Sequence, residues 1–223
     1  MEEKISQLKE WISANTPRRF GVFIPVSGGT DSALCFWLYN QVFPERVVGV
    51  YFGDKLRSRA WFASTGTMRD MELPSGIADP EIARWAQLLD AALREHRLLV
   101  GTRNRTETLL GTYSRASRLA SHLPLAGTWK SDILDLCAHI GVPQEIIDSS
   151  RDADVVCGRP EALARIPFAV ADNFLKIKTG EMEEGEAPTH ALPDHQRAYL
   201  EELYIKNRFK ETLPFIGPTQ DFS

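Results

Sequence analysis

The chain has little of what usually announces a function. It carries three cysteines in 223 residues, Cys35, Cys137 and Cys157, too far apart for a CxxC pair or a zinc-ligand spacing. That excludes a disulfide framework, and an odd count without one suits a reducing, cytoplasmic setting. Cys35 and Cys137 fall in apolar helical patterns and read as small core residues. Cys157, beside Gly158, reads as a loop thiol open to chemistry. No apolar stretch is long enough to span a bilayer, and the opening Met1-Glu2-Glu3-Lys4 begins a polar amphipathic helix rather than a signal peptide. There is no basic run, repeat or low-complexity tract. A net charge of −4 and a pI near 5.8 argue against a nucleic-acid partner. What remains, with 43% hydrophobic and 25% charged residues, is a soluble globular chain, one domain over 1–223, whose partners are small molecules.

What is present is concentrated at Ser27-Gly28-Gly29-Thr30-Asp31-Ser32. The apolar run Phe20-Gly21-Val22-Phe23-Ile24 leads into it, and the helical pattern Ala33 to Tyr39 leads out. A strand therefore enters a tight turn that opens a helix, where unpaired backbone N–H groups and the helix dipole favour an anion. The glycines allow close backbone approach. The hydroxyls of Ser27, Thr30 and Ser32 add donors, and the Asp31 carboxylate could hold a cation. An ordinary capped turn is the bland alternative. The spacing is neither GxxxxGK[ST] nor GxGxxG; Ser-Gly-Gly-x-Asp-Ser after a strand resembles the pyrophosphate loop of the ATP pyrophosphatase superfamily.

Around this loop the pattern alternates. Helices are expected at Ile5–Ala14, 31–42, from Asp79-Pro80 to about Glu95, from Arg105 to Gly111, at Ser131–Ile140 and at about 195–208. Strands are expected at 20–26, Val47–Phe52 and Arg97–Thr102, with a short extended piece at Leu123–Leu125. Asp54–Gly76 reads as mobile or ligand-facing loops, and the acidic stretch 180–195 as a flexible linker or lid before a C-terminal helix and tail (196–223). Alternating strands and helices imply an α/β parallel sheet with helices on both faces and ligands at the strands' C-terminal ends.

Two further clusters lie after the first loop. In Gly101-Thr102-Arg103-Asn104-Arg105-Thr106-Glu107, Thr102 could serve a nucleotide and Glu107 a metal; helix capping by Asn104 or Thr106 is an equal reading. In Gly127-Thr128-Trp129-Lys130-Ser131, Lys130 could neutralise phosphate charge in a transition state, although a lysine at a helix start is more often simply solvated.

Together these segments resemble the ammonia-dependent NAD synthetase family, whose patterns are Ser-Gly-Gly-x-Asp-Ser, Gly-Thr-Gly-Asn-Lys-[Ser/Thr]-Glu and Lys-Thr before a helix ending Leu-Gly-[Val/Ala]-Pro. Gly101 to Glu107 matches with Arg103 for Gly and Arg105 for Lys, and Lys130-Ser131 and Ile140-Gly141-Val142-Pro143 match the third pattern. Ala153-Asp154-Val155 and Phe209 to Pro214 resemble its downstream motifs. The resemblance implies a three-layer Rossmann-like (adenine nucleotide alpha hydrolase-like) fold. It also implies an ATP- and Mg²⁺-dependent ligase that adenylates deamido-NAD, releases pyrophosphate and aminates with ammonia to give NAD. Ser27, Gly28, Gly29, Thr30, Asp31 and Ser32 would bind ATP phosphates with Thr102. Asp31 and Glu107 would hold Mg²⁺, and Lys130 and Lys210 would steady phosphates. It further implies a homodimer, with ammonia free or delivered by a partner. Where the family has Gly-Asp-Gly-Gly-Ala-Asp, this chain has Ala116 to His122. Arg115, Arg118, His122 and Asp154 are the candidate acid-substrate residues, and an arginine there favours an anionic group. The other readings are a relative activating a different acid, a sulfur-transfer enzyme using Cys157, and a non-catalytic nucleotide binder.

Overall fold

The computed structural model describes residues 1–152, 159–186 and 192–211. Strands β1 (Gly21–Pro25), β2 (Val47–Phe52), β3 (Thr67–Met71) and β4 (Arg97–Leu99) form one four-stranded parallel sheet in the order β3-β2-β1-β4. Parallel neighbours need crossovers. These are α2 (Thr30–Val42) from β1 to β2, α3 (Arg59–Thr65) from β2 to β3, and α4 (Pro80–Arg94) from β3 to β4. Side chains alternate across the pleat. Val22 and Ile24 pack into one core with Leu34 and Phe36 of α2 and Ile12 of α1 (Glu2–Asn15), whereas Phe23 packs into another with Val48, Leu99 and Leu88 of α4. The result is a helix–sheet–helix sandwich, as expected.

The chain winds from β1 through β2 to β3, then returns to place β4 on the other side of β1. The winding reverses between β1 and β4, and loops diverging there leave a crevice at the strands' C-terminal ends. The turns after β1 and β4 flank it. The expected boundaries mostly hold to within a residue or two. Asp79 caps α4 by accepting from Glu81 and Ile82 N–H, with Pro80 at the first helical position.

Two expectations are corrected. Asp54–Gly76 is not all loop, because it contains α3 and the edge strand β3. That strand is brief and half polar, Thr-Met-Arg-Asp-Met, since it is paired on one side only. Arg59 pairs with Asp70, and Arg69 bonds Glu95 at 2.5 Å, so these charges support structure, whereas Arg57 of the same stretch does line the crevice. The extended piece lies earlier than expected: His122 bridges Val100, and residues 124–127 turn.

The C-terminal half adds α5 (Arg105–Leu110), α6 (Lys130–His139), α7 (Gln144–Ser149), α8 (Glu161–Ala164), α9 (Phe168–Lys178) and α10 (Asp194–Asn207). Leu110, Trp129, Leu163, Phe174, Leu175 and Leu200 form a separate small core among them. Gly111 joins α5 to α10. Its φ is +64°, and a Cβ there would stand 2.1 Å from that of Asn207, whose amide donates to the Leu110 carbonyl at 2.9 Å. Gly111→Ala should therefore destabilise the fold by about 1–3 kcal/mol in denaturant unfolding. Gly127→Ala, with open space at its Cβ, should stay within about 0.5 kcal/mol of the unaltered chain.

Candidate active site

Gly28 in the turn after β1 has φ +81°, a left-handed setting that any side chain would strain. Hydroxyls hold the turn in shape. Ser27 N–H donates to Ser32 Oγ at 3.2 Å, Gly29 N–H donates to Ser27 Oγ at 3.3 Å, and the Ser32 hydroxyl donates to the Gly29 carbonyl at 2.9 Å. Gly29 is the N-cap of α2, and no side chain caps that helix, so the bland reading of a capped turn does not apply. The first N–H groups of α2 keep their capacity for an outside acceptor. Ser27, Gly29, Thr30 and Asp31 wall a cavity of about 670 Å³.

Lys130 closes the cavity from α6. Its ammonium donates to Thr30 Oγ1 at 2.7 Å and to Asp31 Oδ2, with the Lys130 and Asp31 side chains 8% and 17% exposed. It is not a solvated lysine. Thr30 Oγ1 also shares a hydrogen bond with Ser150 Oγ at 2.7 Å. On the other side, Asn104 Nδ2 donates to Asp31 Oδ1 at 2.7 Å. Asn104 is also the N-cap of α5, accepting from Glu107 N–H at 2.8 Å, while Glu107 Oε2 accepts from Asn104 N–H at 3.2 Å. This capping box is the bland reading of the second cluster, and it sets the Glu107 carboxylate beside that of Asp31.

Glu107 borders the cavity and is half-buried. Burial first, and the Asp31 charge second, push its pKa up to about 7, against the pull of Lys130. Lys130 bonds Asp31 directly, and the charges of Arg103 and Arg159 also act on these carboxylates. Among the described residues no group of three His, Cys, Asp or Glu side chains forms a metal cage. The carboxylates of Asp31 and Glu107, both on the cavity wall, are the oxygen donors that a hard cation takes, with its remaining ligands from phosphate or water.

Lys130 is itself positioned by a residue the sequence did not flag. Asp172 of α9 is fully buried; it accepts from the Thr106 hydroxyl at 2.5 Å and from Ser131 N–H at 2.8 Å. Thr106 Oγ1 in turn accepts from Lys130 N–H at 3.0 Å. No side chain of its own caps α6, and Asp172 does so from a distance. A lone Asp in a helical pattern gives no local signal of this role. Arg159 was also missed: it lines the cavity, with its guanidinium 3.9 Å from the Phe168 ring centre.

Thr102 lines the cavity with Glu107 and Lys130. Lys210 does not. Its ammonium donates to the carbonyls of Gly111 and Tyr113. Arg115, Arg118 and His122 line neither this cavity nor the smaller one beside it. Arg118 donates to the Lys210 carbonyl at 2.5 Å, and His122 Nε2 is 2.9 Å from the Asn15 carbonyl. Asp154 and Cys157 lie outside the described residues. Cys35 and Cys137 are core residues with thiol pKa values raised by burial, that of Cys137 to about 12.

Comparison with known proteins places this site in context. A family model described as NAD synthase matches residues 79–214. The NH(3)-dependent NAD(+) synthetase of Chlorobium phaeovibrioides is 28% identical over 234 residues, covering 91% of this chain and 84% of that protein. The enzyme of that name from Methanosarcina mazei is 26% identical over 199 residues, with 75% and 76% covered. The fold matches the Campylobacter jejuni NH3-dependent NAD synthetase, solved with a nitrate ion, at TM-score 0.72 and 19% identity over 97% of this chain and 96% of that one. It also matches the NMN synthetase of Francisella tularensis at TM-score 0.71 and 17% identity, over 99% and 98%.

Two measurements check the site's construction. The raised Glu107 pKa means that the folded chain binds this proton more tightly than the unfolded chain. Its contribution to stability is therefore full below about pH 4.5 and is lost as pH rises toward 7. Glu107→Gln should match the unaltered chain in thermal melts near pH 5 and exceed it by about 2–3 kcal/mol at pH 8; a gap that does not change with pH would remove the buried charge from this account. Asp172→Ala should cost about 3 kcal/mol or more in unfolding, since it strands buried donors, whereas Asp172→Asn should keep most of the stability.

Proposed function

The chain belongs to the NAD synthase family, and on that premise we propose that it is an ATP-dependent, amide-forming ligase. It adenylates a carboxylate, releases pyrophosphate and lets ammonia displace AMP. The observation that carries this reading is the Lys130 ammonium lying between Thr30 and Asp31 at the uncapped start of α2. An unshielded set of N–H donors, a buried lysine and two adjacent carboxylates together suit a polyphosphate and its counter-ion; an ordinary turn needs none of them.

In this reading Ser27, Gly28, Gly29, Thr30 and Ser32 receive the leaving pyrophosphate, and Thr102 contacts the nucleotide. Lys130 offsets the charge that builds as the bond between the α and β phosphates breaks. Asp31 and Glu107 would hold Mg²⁺, which when bound would draw charge from the phosphate oxygens. The chemistry needs no protein nucleophile: the substrate carboxylate attacks the α-phosphorus, and ammonia then attacks the acyl carbon. Holding both partners in line contributes most of the rate. Lys210 is left out of the phosphate set, because backbone carbonyls take its ammonium. One domain spanning the chain and a homodimer complete the proposal; Ile82 and Leu93 leave an exposed apolar face on α4 that a second copy would cover.

By family resemblance the acid is deamido-NAD and the product NAD. A different acid is the second reading, favoured by the substituted 113–122 loop and by Arg103 in place of a glycine. Among the described residues no helix is long and apolar enough to cross a membrane.

Incubation with ATP, Mg²⁺, ammonia and deamido-NAD, then with other acids, should yield AMP and pyrophosphate in equal amounts; ADP and phosphate would refute the proposal. Lys130→Ala should lower kcat by about 10²–10³ with a much smaller change in the KM for ATP. Pyrophosphate release with another acid but not with deamido-NAD would select the second reading.

A further inference from the structure

The wall of the large cavity carries as many carboxylates as cations, so its net charge alone assigns no anion to it. The cations differ in how they are engaged. Lys130 bonds Asp31, and Arg84 pairs with Glu81 at 3.0 Å. Arg159 stacks on Phe168, and the charges of Glu107, Asp31 and Asp152 act on it. Arg57 is the exception among them. It lines the same cavity, its side chain is exposed, and it makes no hydrogen bond or ion pair among the described residues.

Arg57 is nonetheless no loose surface residue, because its backbone lies against the turn after β1 and is held on both sides. A Cβ on Gly28, in its left-handed setting, would stand 3.7 Å from the Arg57 Cβ, 3.8 Å from the Arg57 backbone N and 3.3 Å from Leu56 Cδ1. Leu56, just before it, is buried in the core that also holds Val26 and Ala33. Ser58, just after it, has φ +48°, a setting uncommon outside glycine, and its hydroxyl donates to the Glu145 carboxylate of α7. Backbone of that kind persists only where its surroundings enforce it. The other end of α7 reaches the same turn, since Ser150, its C-cap, shares the hydrogen bond with Thr30 Oγ1. One short helix thus braces both the start of α2 and the loop that carries Arg57. The outcome is an arginine with its stem fixed beside Gly28 and its guanidinium donors open to the cavity. Phosphate oxygens suit that planar fork, which they can accept from in pairs.

We propose that Arg57 is a polyphosphate-binding residue, gripping the β- and γ-phosphates of the nucleotide held at the turn after β1. The proposal rests on the adenylation reading, in which pyrophosphate leaves from that turn. Lys130 shares its charge with Asp31, whereas Arg57 brings one committed to no described carboxylate. AMP lacks the phosphates that Arg57 would hold. The residue therefore favours ATP over AMP when the cavity fills, and it retains pyrophosphate after the bond has broken.

The test is calorimetric titration of the full chain, in Mg²⁺, with α,β-methylene-ATP, pyrophosphate and AMP. Arg57→Gln should weaken binding of the analogue and of pyrophosphate by about tenfold or more and leave the affinity for AMP within about twofold. Arg57→Lys, which keeps the charge but loses the fork, should fall between the two. Both variants should fold, since the side chain is exposed and unpaired. Where AMP binds too weakly to measure, the loss of pyrophosphate, which carries no nucleoside, decides the matter. Equal losses for all three probes would make Arg57 a structural or general nucleotide contact and overturn the proposal. Unchanged affinity for the analogue and pyrophosphate, or no binding of either to the unaltered chain, would overturn it as well. Turnover of the unaltered chain to ADP and phosphate would count against the adenylation reading instead, and the titrations would still decide the role of Arg57.

Discussion

The contact between Lys130 and Asp31 is the constraint on which the rest of the site depends. Asp31 lies in the first turn of α2, fixed by β1 and its turn, and Lys130 opens α6 far along the chain. A pair this buried adds little net stability, because desolvation offsets the attraction, yet losing one partner typically costs about 3–5 kcal/mol. Its consequence is therefore positional. Once the pair forms, α6 cannot drift from the mouth of the sheet, and the cavity has a fixed wall opposite the Ser27–Ser32 turn.

Few side chains build this arrangement, and most do two jobs. Asn104 caps α5, orients Asp31 through its amide and holds Glu107 through its backbone N–H. Thr106 accepts from Lys130 N–H while donating to Asp172. Capping and chemistry are thus not competing explanations of residues 104–107, because the capping box is the device that sets two carboxylates side by side. The same economy makes the cavity electrically tense: burial, and then the proximity of Asp31, raise the Glu107 pKa, and a lysine already engaged by Asp31 relieves it only in part.

The parts legible in the sequence are those where one short segment carries the whole signal. β1, its glycine turn and α2 lie in one stretch of apolar run, breaker and helical pattern, and Asp79-Pro80 marks the start of α4 by local capping rules alone. β3 escaped because an edge strand needs no continuous apolar run, and its Arg69 and Asp70 made it read as loop. Asp172 escaped for a deeper reason. Its role exists only once α9 packs against α5 and α6, through a carboxylate whose partners lie at Thr106 and Ser131. Lys130 was legible only as a candidate, since nothing near it in sequence tells a buried lysine from a solvated one.

The acid side shows how charge and position separate. Substitutions in 113–122 pointed to a shift toward positive charge, but Arg118 spends a donor on the Lys210 carbonyl and His122 is tied to the end of α1. The unspent donors belong to Arg103, in the turn after β4, whose guanidinium stacks against the Tyr113 ring. A charged residue in an exposed loop finds carbonyls or solvent at little cost. One stacked on an aromatic ring has fewer places to turn, and the Arg103 Nε and Nη1 stay without a hydrogen-bond partner among the described residues.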